Sequence, residues 1–340
     1  MSDPHEAPRL IDVHAHAVPA ATEGAAGAAG PETGTGPDGR PFYRVGGYVL
    51  HGVRYAGSAF TDVGLRIAAM DAAGIDVQLL SPNPLTYFGA LDTAAAVAFA
   101  RAHNDGLAAV AARYPGRLLA AAQLPVQDVG ACVAEARRAV RELGMVAVYL
   151  DTDPCGRTLD DPALDPLYEA IVELDVPLFV HPSPLGADGP PDDPRLRRFD
   201  LDLLLGFAHD ETLAVAALVF GGVLDRHPDL DVCVSHGGGA AAFLAGRFAH
   251  AVEKRPWASA ELRERGFDHH YRRLWFDTHV HDAGSLRLLV DRAGTDRLVF
   301  GTNFAGWDSG AGSDRPTELP RDLAPTLSAN ATRLLRLDRP

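Results

Sequence analysis

Lysine is almost absent: the 340-residue chain has one, Lys254, against thirty arginines. That excludes Schiff-base catalysis, or a metal-bridging lysine carbamate, at any other position. Cysteine is scarce too. Cys132, Cys155 and Cys233 are widely spaced and form no CxxC, so there is no disulfide framework. This usage fits a reducing compartment, and the cytoplasm is expected. No run approaches 18 uncharged apolar residues, so no membrane span is expected. The start, MSDPHEAPRL, lacks the basic and apolar regions of a signal peptide. Positive charge is in deficit, with 31 Lys plus Arg against 45 Asp plus Glu and a net charge of −14. Such a chain lacks the electrostatic footprint of a nucleic-acid binder. No GxGxxG follows a strand-like run, which argues against a dinucleotide fold.

What is present is a repeat of apolar runs and helical patterns. The runs are 10–14 (LIDVH), 77–81 (VQLLS), 118–124 (LLAAAQL), 146–151 (VAVYLD), 177–181 (PLFVH), 231–236 (DVCVSH), 274–278 (LWFDT) and 297–303 (RLVFGTN). They are nearly continuous rather than alternating, as in strands covered on both faces. Helical patterns at 61–73, 92–113, 129–143, 164–174, 212–227 and 284–293 lie between them. This order predicts an α/β chain folded as a (β/α)8 TIM-like barrel, one domain over 1–340. Residues 20–60 are expected to be an insertion: a Gly/Ala/Pro-rich mobile loop to residue 40, then a hairpin or lid.

In such a barrel the C-terminal strand ends form one face, where active sites lie. His14 and His16, His181, His236 and Asn303 all fall there. Two residues apart on a strand, His14 and His16 point to the same side and can reach one cation. Converging neutral imidazoles are a recipe for a divalent transition metal. Asp12 is placed to orient a ligating imidazole. Further histidines, His279 and His281 in DTHVHD and His209 in FAHDET, are candidates for a second metal or a substitute base. The remaining histidines read as structural or exposed. Arg195, Arg197 and Arg198 form the densest basic cluster, suited to phosphates such as those of coenzyme A. Asp308 is a candidate carboxylate from the loop after Asn303. Asp151, Tyr149, water or a substrate oxygen remain open as bridging ligands.

The first-strand HAH, HP at 181–182, SHGGG at 235–239 and FGTN at 300–303 resemble the amidohydrolase superfamily. MDAAGIDVQLLSPNP at 70–84, ARAHNDGLAAVAARYPGRL at 100–118 and LAGRFAH at 244–250 are similar to the branch that includes aminocarboxymuconate-semialdehyde decarboxylase. The likeness covers nearly all the chain after residue 60. It implies that His14, His16, His181 and His236 are metal or metal-adjacent residues. It also implies that Arg54 and Arg247 bind a substrate carboxylate or phosphate, and that the chain is a homodimer with an arginine crossing the interface.

One departure matters. The family pattern GTD is GTN here, so Asn303 replaces a carboxylate. An amide oxygen can still ligate a metal, but it cannot be a general base. The protein is then catalytically dead, or works without that base, or activates water another way, such as with a second metal. The variant also resembles an amidohydrolase-fold acyl-CoA thioesterase type of diterpenoid (platensimycin-type) biosynthesis. That resemblance implies Fe2+, one ion or two, with Zn2+ as the alternative. The leading expectation is therefore hydrolysis of an acyl thioester, with His181, His236 and His279 catalytic. The metal ligands would be His14, His16, His181, His236 and Asn303, joined by His209 and His279. Arg54, Arg247, Arg195 and Arg198 would bind substrate. The alternative is a nonoxidative metal-dependent decarboxylase, and the third reading is a noncatalytic barrel binding protein.

Overall fold

The computed structural model describes residues 9–52, 55–183, 193–304 and 323–338. In chain order the strands are β1 (Ile11–Ala17), β2 (Glu32–Thr35), β3 (Pro41–Val45), β4 (Tyr48–His51), β5 (Val77–Pro82), β6 (Leu118–Ala122), β7 (Ala147–Asp151), β8 (Leu178–His181), β9 (Val232–Val234), β10 (Trp275–Asp277) and β11 (Leu298–Val299). Eight of them form one parallel sheet in the order β1-β5-β6-β7-β8-β9-β10-β11. The stretch after β11 returns to β1 through Val13 N to Phe300 O (2.9 Å), Phe304 N to His14 O (3.0 Å) and His16 N to Phe304 O (3.2 Å). These bonds close the expected (β/α)8 barrel.

The helices are α1 (Val63–Ala73), α2 (Thr93–Ala112), α3 (Val129–Arg141), α4 (Asp165–Leu174), α5 (Phe207–Phe220), α6 (Val223–Arg226), α7 (Ala241–Lys254), α8 (Ala260–Arg265), α9 (Phe267–Tyr271), α10 (Ala283–Ala293) and α11 (Ala324–Leu334). Asp62, Asp92, Asp128 and Asp282 cap α1, α2, α3 and α10 by accepting backbone N–H groups, which explains where those helices start. By length and composition, Asp202–Phe220 is apolar enough to cross a membrane. It carries Asp210 and Glu211 partway along, and α5 packs on the barrel.

The core has two layers. Strand residues facing outward, such as Leu80, Val148, Leu150, Val180 and Val234, pack against the helices. Inward residues Ile11, Val13, Val77, Leu79, Ala121, Ala147, Tyr149, Phe179, Cys233, Trp275 and Val299 fill the barrel, and Ala331 and Leu334 of α11, with Leu335 just after it, close one end. Alternate side chains serve the two layers, so each strand reads as a continuous apolar run.

Two expectations change. Part of the 20–40 segment is ordered: β2 pairs with β3 in an antiparallel sheet completed by β4. Tyr43 and Val45 of β3 point into a small core with Val18, Tyr55, Phe60, Leu85, Phe88 and Phe99, which ties this sheet to the barrel. The expected strands ending at 236 and 303 stop earlier, at Val234 and Val299, because the chain turns sharply. His236 and Asn303 then have φ of 46° and 48° and stand beyond the strands.

Candidate metal centre

β1 delivers His14 and His16 to the mouth of the barrel across a register shift between Asp12 and Ala15. β8 delivers His181. All three are at most 3% exposed. Their candidate ligand nitrogens lie within 4.8 Å of one another. Each ring has its Nδ1 on an oxygen. His14 Nδ1 is 2.7 Å from Asp277 Oδ2, His16 Nδ1 is 2.9 Å from Pro82 O, and His181 Nδ1 is 2.7 Å from Pro182 O. A carbonyl only accepts, so the proton sits on Nδ1 and the Nε2 lone pair is left for a ligand; Asp277 acts alike on His14.

The consequence is visible in two places. His14 Nε2 and His16 Nε2 face each other at 3.2 Å. That spacing suits two nitrogens each about 2.1 Å from one cation. His181 Nε2 is buried with no hydrogen-bond partner among the described residues. Burial and the neighbouring His16, His14 and His236 push the His181 pKa well below its ordinary value, keeping the ring neutral. The donor set fits a divalent transition cation.

Asn303 is 5% exposed beside this group, on the turn that closes the barrel. Its predecessor Thr302 is held by Asp12, through N to Oδ1 (3.1 Å) and Oγ1 to Oδ2 (2.7 Å). Asp12 also accepts the His14 amide and Gln78 Nε2. It therefore fixes the β1 and β11 ends rather than an imidazole, which corrects the expected role. Burial raises its pKa to about 6. Gly301 passes between His14 and Asp277; a Cβ there would lie 2.9 Å from both Cβ atoms, so only glycine fits.

His236 stands next to the cluster, its ring 4.9 Å from that of His14 and 5.1 Å from that of His181. Its Nδ1 lies 2.6 Å from Glu211 Oε1, which also accepts from Ser235 Oγ. Glu211 is fully buried on α5, and burial raises its pKa against the pull of His236. Gly239, at φ 62°, permits this approach: a Cβ there would meet Ala208 O at 2.2 Å. A π-turn at Asp202–Gly206 leads into α5 and places the Phe207 ring 5.7 Å from His181 and 6.0 Å from His236. Phe207 is an apolar wall over the site.

His279 reaches the edge of the cluster, 6.0 Å from His14 and 5.6 Å from His236 between ring centres. His281 stacks edge-on with it and is exposed. His209 is not brought in: it is exposed on α5 and paired with Asp210 at 3.0 Å. Arg195 is exposed and held by Asp193, and Arg198 lies over the Phe199 ring. Arg247 is exposed on α7. Arg54 and Asp308 lie outside the described residues. Sequence reasoning missed Asp277 and Glu211, and also Arg66. Buried on α1, Arg66 donates to Gln78 Oε1 (3.0 Å), Ala59 O (3.0 Å) and His16 O. Burial lowers its pKa to about 9.

A (β/α)8 barrel with a buried histidine cluster at the strand ends defines a metal-site barrel enzyme. Residues 11–337 match the amidohydrolase family, and the chain belongs to it. It is 31% identical over 244 residues to 2-amino-3-carboxymuconate-6-semialdehyde decarboxylase of Dictyostelium discoideum, covering 72% of this chain but 66% of that relative. It is 30% identical over 294 residues to gamma-resorcylate decarboxylase of Rhizobium radiobacter, covering 80% and 86%. In structure it is similar to a dihydroxybenzoic acid decarboxylase of Polaromonas sp. JS666 solved with manganese and 2-nitroresorcinol, with TM-score 0.75, 21% identity and 98% of each chain covered.

These relatives overturn the thioesterase expectation, because the named activities are decarboxylations. The geometry agrees. The arginines that suggested coenzyme A are exposed and engaged locally, and His209 faces away from the cluster.

Proposed function

We propose that the protein is a metal-dependent nonoxidative decarboxylase of a planar, unsaturated carboxylic acid. The observation that carries this reading is the His236–Glu211 pair beside three imidazoles with outward lone pairs, in a chain about 30% identical to decarboxylases. His14, His16 and His181 would hold a divalent cation, with the Asn303 amide oxygen as a further ligand. When bound, that cation supplies a positive charge that fixes the substrate carboxylate and draws electron density from the carbon to be protonated.

The chain's own residues do the rest. Decarboxylation exchanges a C–CO2− bond for a C–H bond and releases CO2, so one proton must reach carbon. Asn303 has none to transfer. His236 can deliver it from Nε2, because Glu211 accepts from its Nδ1 and stabilises the ring while it is charged. Phe207 covers His181 and His236 and keeps water from the carbanionic carbon.

The same reading includes a homodimer and a lid role for residues 20–60. Exposed Arg247 would serve a partner's site, and Tyr48 of β4 already reaches Asp202 at 3.5 Å.

The test is CO2 release from a panel of hydroxybenzoates and unsaturated dicarboxylates, with protein loaded separately with Mn2+, Zn2+ and Fe2+. Elemental analysis of the unloaded preparation identifies the native ion. Turnover that disappears on chelation and returns with metal is expected. No CO2 from any acid with any ion overturns the reading.

A further inference from the structure

Asp12 and Gln78 are register partners on β1 and β5. Their neighbours Ile11, Val13, Val77 and Leu79 point into the barrel, so Asp12 and Gln78 leave it on the outer side. There they meet Arg66 of α1, the only buried arginine among the described residues. Burying a guanidinium is unfavourable unless its donors are used. Those of Arg66 are used on three different segments. Nε donates to Ala59 O (3.0 Å), Nη1 to Gln78 Oε1 (3.0 Å) and Nη2 to His16 O.

Two of these arms lead to the cation site. The first holds the backbone of His16 itself. The second runs through Gln78, whose Nε2 donates to Asp12 Oδ2 (3.0 Å), and Asp12 accepts the amides of His14 (3.1 Å) and Thr302 (3.1 Å). The guanidinium also lies 4.9 Å from the centre of the Phe304 ring. Asn303 is thus flanked by two residues that this network holds. The third arm leads away from the site. Ala59 precedes Phe60, whose ring stacks on Tyr55 at 4.1 Å, and Tyr55 stacks on Tyr43 of β3 at 4.1 Å. Phe60 O accepts Val18 N (3.1 Å), just past the end of β1. This segment therefore seats the β2–β4 sheet on the barrel.

We propose that Arg66 is a positioning residue for the cation site: it clamps the strand ends carrying His14, His16 and Asn303 to the 55–60 segment, so that the seating of the β2–β4 sheet sets how the ligands converge. A planar fork with fixed donor directions holds three acceptors at once, which one ammonium on a flexible stem does not. The inference rests on the cation-site part of the reading above and not on decarboxylation.

The test uses the full-length protein, freed of metal, with Co2+ as the probe. Visible absorption of the bound ion reports ligand geometry, and chelator competition gives Kd. Arg66→Lys keeps the charge and loses the fork. It is expected to bind Co2+ roughly tenfold more weakly, the scale of losing a partner behind a ligand, with an altered absorption band. Tyr43→Leu loosens the sheet without touching Arg66 or any ligand. It is expected to weaken Co2+ binding roughly threefold in the parent background and to add nothing in the Arg66→Lys background. Thermal unfolding of the metal-free proteins follows stability separately. A parent-like Kd and absorption band in Arg66→Lys, whatever its stability, makes the residue structural only and overturns the proposal. Where Arg66→Lys does not fold, Tyr43→Leu decides alone, and an unchanged Kd overturns the proposal. A parent that binds no Co2+ overturns the cation-site reading and the proposal together, whereas a parent that binds it with variants that match overturns the proposal only.

Discussion

His14 Nδ1 lies 2.7 Å from Oδ2 of Asp277, a residue 263 positions away, and both side chains are buried. The other oxygen of Asp277 accepts the amides of Gly237 (3.3 Å) and His279 (3.1 Å). One carboxylate thus sets the tautomer of a candidate metal ligand and anchors the loops that follow β9 and β10.

Asp277→Asn keeps the shape but weakens the acceptor that fixes His14. Metal affinity falls about 10- to 100-fold, the usual cost of losing a partner behind a ligand. Chelator competition followed by elemental analysis measures it. Circular dichroism is expected to match the parent, which separates loss of metal from loss of fold.

Glu211→Gln removes the negative charge facing His236 Nδ1 but leaves His14, His16 and His181 untouched. Turnover drops on the order of 100-fold with metal content unchanged. Metal loss in parallel with activity would instead make Glu211 a support of the cluster.

Asn303→Asp restores the family carboxylate beside three neutral imidazoles. Tighter metal binding is expected, because the ligand gains a charge. Turnover does not rise, because His236 already supplies the proton in the proposed reaction. A tenfold gain in kcat would place the missing carboxylate, rather than His236, at the protonation step.

Asp151 is buried, and its pKa is raised to about 8 from an ordinary 3.8, chiefly by loss of hydration. The folded protein therefore holds a proton there that the unfolded chain releases between pH 4 and 8. Stability falls as pH rises through that window, and Asp12, at about 6, adds to the fall between pH 4 and 6. Asp151→Asn removes its share. In metal-free protein the variant is expected to equal the parent near pH 4 and to exceed it by a few kcal/mol, on the order of one decade per pH unit, near pH 8. Urea titrations at several pH values measure the difference.

The barrel was legible because each strand is inward and outward core at once, and because aspartates mark helix starts. That His14, His16, His181 and His236 meet was legible because strand ends converge in this fold whatever the loops do. The partners of those histidines were not. Asp277 meets His14 only after the sheet has closed on itself, and no local pattern marks that meeting. In FAHDET the visible signal was His209, yet the residue that reaches the cluster is Glu211. Two positions apart on a helix is about 200° of rotation, so when one faces the barrel the other faces water. Nothing in the helical pattern at 61–73 marks Arg66; it is packing around residues 55–60 that buries it against His16 O.

The bonds that shut the barrel use Val13, His16 and Phe304, each next to or part of the proposed ligand set of His14, His16 and Asn303. On the proposed ligand set, the last joint of the cylinder and the grip on the ion are the same few residues of chain. Filling the site is then expected to fasten this joint, and emptying it to let the cylinder breathe along one edge. Deuterium uptake at those three amides therefore reports whether the ion is home, with no substrate in the tube.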